Sequence, residues 1–278
     1  MKAIDDVVVE INPLFYQRMV EGALELHNPY RGGNHNDTLP KHGIVLSSPD
    51  DSLKEGQTVF FLHFNLLYLN PKGRAVINIR KEDIYGYADR FPDTYDLKKI
   101  SKVRVNPYGD WLCGARVESE QGKAVRKYAI KNGLKITGTT QYCDQLFRVV
   151  TRGDSEIGVR VNDLVMVWRD SDMPIDYLST VFIKKEYITY NKTQSRMHNN
   201  FFMVRKVADP SEWIEKNGIL SREGDRIAQN TAVVMKGNDN HKNIMEGDTV
   251  MHLRTRGQFT PISPTVLCIR YTHIQGII

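Results

Sequence analysis

The chain has 278 residues, 41% of them apolar and 26% charged, with a net charge of +5. That balance is ordinary for a soluble globular protein, and no stretch reaches the roughly 18 uncharged apolar residues of a membrane-spanning helix. Three cysteines, Cys113, Cys143 and Cys268, are odd in number and far apart. They exclude a disulfide framework and point to a reducing cytoplasm. The opening Met1-Lys2-Ala3-Ile4-Asp5-Asp6 has no apolar core of signal-peptide length, so the expected location is cytoplasmic. Charges are mixed along the chain. The densest basic spots, Lys98-Lys99 and Lys123 with Arg126-Lys127, read as solvated surface, and neither a nucleic-acid nor a membrane partner is expected.

In chain order, the apolar runs are short, β-branched or aromatic, and bounded by Gly, Asp, Asn and Pro, which predicts strands. Val7-Val8-Val9-Glu10 opens the series. Residues 12–26, starting at Asn12-Pro13, predict a helix that contains Gly22-Ala23-Leu24. A strand follows at Gly43-Ile44-Val45-Leu46, then a Gly56-Gln57 turn into Val59-Phe60, then a closing phrase over 76–84. A linker is expected at 89–99. The same words then return. Gly114-Ala115-Arg116-Val117-Glu118 is a strand, Gly133-Leu134-Lys135-Ile136 a glycine with an apolar flank, and Leu146 to Val150 a second strand. Asn162-Asp163 makes the turn into Leu164-Val165-Met166, and 181–188 is the closing phrase. A polar linker is expected at 191–200. The third round runs Phe202-Met203-Val204-Arg205, a short helix at 209–215, Gly218-Ile219-Leu220, Ala232 to Met235, Gly247-Asp248 into Val250, and 266–274.

Spacing supports the triplication. Turn to closing phrase measures 84 − 57 = 27, 188 − 163 = 25 and 274 − 248 = 26 positions. Glycine to turn measures 57 − 22 = 35, 163 − 133 = 30 and 248 − 218 = 30. Successive turns are 163 − 57 = 106 and 248 − 163 = 85 apart, a domain-sized period too long for a solenoid. The expected domains are residues 1–90, 91–192 and 193–278, each all-β. Because they follow the turns at one offset, Val59, Val165 and Val250 are expected at equivalent buried positions.

Chemistry is sparse. Eight histidines are scattered without ligand spacing, so neither a metal nor a cofactor is expected. Gly32-Gly33 and Gly122-Lys123 lack the spacing of phosphate loops. Asp50-Asp51 and Glu82-Asp83 read as turn residues, and Cys113 beside Trp111 as a small buried hydrophobe. No catalytic residue is named, and an enzyme is not expected.

The repeated unit resembles the GroES-type small co-chaperonin family. Its third copy carries the resemblance best, in Val204-Arg205-Lys206-Val207, Asn217-Gly218-Ile219-Leu220, Val233-Val234 and Glu246-Gly247-Asp248-Thr249-Val250. The first copy matches at its end, Arg80-Lys81-Glu82-Asp83-Ile84; the second has Asn162 for the turn glycine. The resemblance implies three tandem irregular β-barrels, ring assembly of copies, and no catalysis. It also implies aliphatic anchors that dock on a chaperonin rim: Ala23 and Leu24, Leu134 and Ile136, Ile219 and Leu220. Weak single sites gain strength when several are linked. Family rings are sevenfold, whereas chains of three units give multiples of three. The expected function is therefore either a co-chaperonin-like lid, phage-encoded, or a structural ring or adaptor subunit of a virus particle at a portal, tail or capsid. In both, the partners are further copies of the chain and a chaperonin ring or neighbouring virion proteins.

Overall fold

The computed structural model describes residues 5–11, 18–21, 24–27, 41–49, 52–61, 67–69, 76–93, 96–133, 142–153, 158–168, 171–174, 178, 180–207, 214–216, 219–221, 230–252, 260–262 and 266–278. In chain order the first strands are β1 (Val7–Glu10), β2 (Arg18–Glu21), β3 (Leu24–His27), β4 (His42–Ser47), β5 (Thr58–Phe61), β6 (Leu67–Leu69), β7 (Val76–Ile79) and β8 (Ile84–Ala88). The short helix α1 (Leu97–Ile100) leads to β9 (Asn106–Pro107), β10 (Trp111–Glu118), the helix α2 (Glu120–Lys131), β11 (Tyr142–Arg152), β12 (Leu164–Val167), β13 (Asp172–Pro174), β14 (Val181–Lys184), β15 (Ile188–Asn191) and β16 (Arg196–Met197). The last group is β17 (Phe201–Lys206), β18 (Ile214–Lys216), β19 (Ile219–Ser221), β20 (Asn230–Lys236), β21 (Thr249–His252), β22 (Thr260–Pro261), β23 (Val266–Arg270) and β24 (Ile274–Ile277). The protein is mostly β, as its composition of short strands predicts.

Three sheets share one strand order: β6-β7-β1-β4-β5-β8-β9, β13-β14-β10-β11-β12-β15-β16 and β22-β23-β17-β20-β21-β24. The registers that the structure gives for them are antiparallel. Irregularities recur at matching places. The third strand bulges against the sixth between Phe60 and Phe61, Met166 and Val167, and Met251 and His252. A 3-10 turn precedes the sixth strand each time, at Lys81–Asp83, Lys185–Tyr187 and Tyr271–His273.

The turn before the third strand is the best-defined common feature. Gly56, Asn162 and Gly247 have φ of 86°, 73° and 94°, the left-handed region that glycine and asparagine tolerate. The Gly56 amide donates to the Val45 carbonyl (2.9 Å) and the Gly247 amide to the Val234 carbonyl (2.8 Å). In both turns the next side chain accepts from a backbone amide three residues earlier, Gln57 from Lys54 (2.8 Å) and Asp248 from Met245 (2.7 Å). Val59, Val165 and Val250 are fully buried, as their common offset predicts.

The chain packs as two compact units, whose bounds differ from the expected 1–90, 91–192 and 193–278. One comprises Met1–Ala115, Val149–Val161 and Met173–Lys185, the other Arg116–Arg148, Asn162–Asp172 and Glu186–Ile278. In the first, Val7, Val9, Val45, Val59, Phe61 and Ile77 build one core cluster. A second cluster joins Phe60, Tyr85 and Ala88 to Trp111, Cys113 and Phe182, so the expected first and second domains share a core there. Aromatic packing is the reason: Phe182 lies 5.8 Å from Phe60 and 5.6 Å from Tyr85, ring centre to ring centre. The second unit has its own cluster of Phe202, Val204, Val234, Val250 and Ile269. In it Arg270 stacks over Trp168 at 4.9 Å and over Phe201 at 5.4 Å.

Three local expectations give way. The helix expected over 12–26 is overruled by the β2–β3 hairpin, with Glu21 opposite Leu24, over the part of it that the structure describes. The helix expected at 209–215 meets β18 at Ile214. The expected linker at 191–200 is a hairpin in which Asn191 faces Arg196. In each case a polar or Gly-containing stretch is held by backbone pairing, which composition does not show.

Two outcomes check this packing. Replacing Val59, Val165 or Val250 by Ala costs about 1–3 kcal/mol each in denaturant unfolding, from lost buried methyl groups. His42 is buried, its ring 4.7 Å from that of Phe91, and burial lowers its pKa from 6.5 to about 3. The folded state thus holds His42 neutral while the unfolded chain protonates it. Stability from this group is present above pH 6.5 and falls toward pH 3 at up to ~1.4 kcal/mol per pH unit. Acid titrations of stability for His42→Phe and the parent should differ by that slope.

Candidate functional site

Each sheet carries an insert between its first and second chain-order strands, at residues 11–41, 119–141 and 207–229. Loops and hairpins placed at one edge of a rigid sheet are where binding residues concentrate. The first insert contains the β2–β3 hairpin, where Leu24 begins β3 opposite Glu21. The third contains β18–β19, where Ile219 pairs with Lys216 and Leu220 with Glu215 across Asn217-Gly218. A two-residue Asn-Gly connection is a strong hairpin signal. Ala23, Leu134 and Ile136 lie outside the described residues.

The described part of the middle insert is a helix, α2, where the described parts of the other two are hairpins. Ser119 caps this helix, its hydroxyl accepting from the Gly122 amide (3.0 Å). Glu120 pairs with Lys123 (2.6 Å) and Arg126 with Glu118. At the far end the Asn132 side chain donates to the Tyr128 carbonyl (2.7 Å), and Gly133 turns left-handed at φ 65°. The helix buries only Gly122 and Ala129, seven residues apart and both small. Val125 is 51% exposed, Tyr128 66% and Ile130 72%. Val125 and Tyr128 lie on one side of the buried stripe; Lys123, Lys127 and Lys131 form an i, i+4, i+8 row on the other side, with Lys131, three residues on from Tyr128, at its near end. Among the described residues, Lys127 and Lys131 have no acidic partner.

The sheets also differ at one edge. β9 covers β8, with Tyr87 opposite Asn106 and Gly86 opposite Pro107. β16 covers β15, with Asn191 opposite Arg196 and Tyr190 opposite Met197. Both covering strands come from the residues leading into the next sheet. In the third sheet the order ends at β24. There Val250 faces Ile277, as Val59 faces Tyr87 and Val165 faces Asn191. Tyr87 is half-buried and Asn191 fully buried, whereas Ile277 is 49% exposed and Ile278 70%.

Several groups able to do chemistry are buried. Burial pushes the Cys113 and Cys268 thiols up to about 12. Lys185 is buried, its ammonium donating to the Gly109 carbonyl (3.1 Å). The Asp163 carboxylate is buried and accepts from the Asn191 (2.7 Å) and Gln194 (2.6 Å) side-chain amides. Among the described residues no group of three His, Cys, Asp or Glu could hold a metal ion. No described helix is long and apolar enough to cross a membrane.

Sequence reasoning placed Leu24, Ile219 and Leu220 in inserts and missed α2 and the β24 edge. Ser119 ahead of a charged run and Asn132-Gly133 after it were the available helix signals. No protein-family model matches the chain, and no curated protein matches it in sequence.

Thiol accessibility follows from the burial. Brief alkylation of the native protein should modify Cys143, which is partly exposed, and spare Cys113 and Cys268 until denaturant is added. Mass spectrometry of the alkylated peptides reads the result.

Proposed function

We propose that the chain is a self-assembling structural subunit whose copies join head to tail and dock on a partner assembly through their inserts. The observation that carries this reading is that, among the described residues, β24 has only β21 as a neighbour, whereas β8 and β15 each carry a further strand. An open strand edge presents unpaired amides and carbonyls, a template for strand addition. β9 and β16 begin five positions ahead of the strands they lead into (111 − 106 = 5; 201 − 196 = 5). The same offset ahead of β1 falls within residues 1–4. A segment of a second copy added beside β24 would make the junction between chains repeat the one between successive sheets. The exposed Ile277 and Ile278 are then covered as Tyr87 and Asn191 are.

Two settings fit such a subunit: a co-chaperonin-like lid, and a ring or adaptor of a virus particle. A lid on a symmetric chaperonin needs like anchors in every insert. Among the described residues the middle insert holds α2 where the other two hold hairpins, a difference that favours the ring or adaptor.

Native mass spectrometry tests the assembly. The parent protein should form oligomers, whereas Ile277→Lys and a variant lacking residues 1–4 should be monomers with unchanged circular dichroism. A monomeric parent at micromolar concentration sinks the reading. Nucleotide-dependent co-sedimentation with a purified chaperonin ring, lost on Ile219→Ser with Leu220→Ser, would restore the lid over the adaptor.

A further inference from the structure

Charge is distributed unevenly over the three inserts. Residues 11–41 hold three basic and three acidic side chains and balance. Residues 119–141 hold five basic residues, Lys123, Arg126, Lys127, Lys131 and Lys135, against Glu120, a surplus of 5 − 1 = 4 positive charges. Residues 207–229 hold five acidic residues, Asp209, Glu212, Glu215, Glu223 and Asp225, against three basic ones, a surplus of 5 − 3 = 2 negative charges. The acidic insert is also rich in large apolar residues, with Trp213, Ile214, Ile219, Leu220 and Ile227.

We infer that α2 is a docking helix and that its occupant is the acidic insert of a second copy of this chain. Three features of α2 point to a partner. It is ordered at both ends by its own caps, so it stands as a helix while burying only Gly122 and Ala129. It exposes Val125 and Tyr128 side by side at i, i+3, and an exposed tyrosine supplies large contact area at small entropic cost. Its lysine row sets like charges four residues apart, an arrangement that weakens an isolated helix. An acidic partner seated along Tyr128 and Lys131, which are i, i+3 neighbours, relieves that repulsion at the C-terminal end of the row and covers the Tyr128 ring. The same chain carries an insert of opposite charge that is also rich in large apolar residues. The inference rests on the self-assembly reading in taking a second copy as partner, but it uses none of the β24 edge residues.

The probe is a fluorescein-labelled peptide of residues 207–229, titrated with the full-length protein and read by anisotropy. Binding should be saturable and should weaken as salt rises from about 0.05 to about 0.5 M. Lys127→Glu with Lys131→Glu, and separately Val125→Ser with Tyr128→Ser, should each weaken it by about tenfold or more. These side chains are exposed, so circular dichroism should not change. A peptide carrying Glu212→Lys and Glu215→Lys should bind the Lys127→Glu, Lys131→Glu protein better than it binds the parent. Ile277→Lys should leave peptide binding as it is, which separates failure here from failure of the head-to-tail contact. The inference is overturned if the peptide does not bind, if a scrambled peptide binds as well, or if the α2 variants bind normally. It is overturned equally if the α2 residues instead bind a single-stranded oligonucleotide or anionic vesicles that the peptide does not displace.

Discussion

Each sheet depends on one left-handed residue. A strand that ends beside its neighbour must reverse, satisfy its backbone groups and re-enter in register, all within a few residues. Gly56 and Gly247 do this with an amide bonded back to the strand just left, at Val45 and Val234. The bond fixes where the next strand begins. Register then decides which side chains face the core, because a slip of one residue would turn every one of them over. The burial of Val59, Val165 and Val250 follows from it, and so do the bulges one and two residues later.

The middle sheet shows how the same backbone survives a different chemistry. Asn162 adopts the positive φ at a cost that glycine avoids. Its neighbour Asp163 bonds beyond the turn, which Gln57 and Asp248 bond within. It is buried and held by two amides, from Asn191 and Gln194, across the β15–β16 hairpin. A buried carboxylate is tolerated only when hydrogen-bonded. That network explains why the polar stretch after Asn191 is ordered as a hairpin.

Legibility in the sequence tracks the range of the interaction. The strands and the turns were readable because alternation, β-branching and a Gly or Asn at the turn are local. The common offset of the three valines was readable for the same reason. The aromatic cluster of Phe60, Tyr85, Trp111 and Phe182 was not, since it joins residues from two stretches that each look self-sufficient. The inserts were read for their glycines and aliphatics, which is why Ile219 and Leu220 were singled out and Val125 and Tyr128 were not. A helix burying only Gly122 and Ala129 has almost no hydrophobic period to detect. Pairings such as Tyr87 with Asn106 depend on partners about 20 residues apart, beyond any pattern of composition.

Because the β8 and β15 edges are closed by residues that come later in the chain, the order of synthesis matters. When Ala88 has left the ribosome, β8 has no outer neighbour until Pro107 follows, 107 − 88 = 19 residues later. At ordinary elongation rates that is about 1–4 s of exposure for an unpaired strand. β15 waits only for Met197, 197 − 191 = 6 residues, which is about a second or less. The nascent chain therefore passes through one long and one short interval of adhesiveness, and the long one falls while only the first sheet exists. A slow codon run between positions 88 and 107 would lengthen that interval, whereas the same run placed after 197 would not.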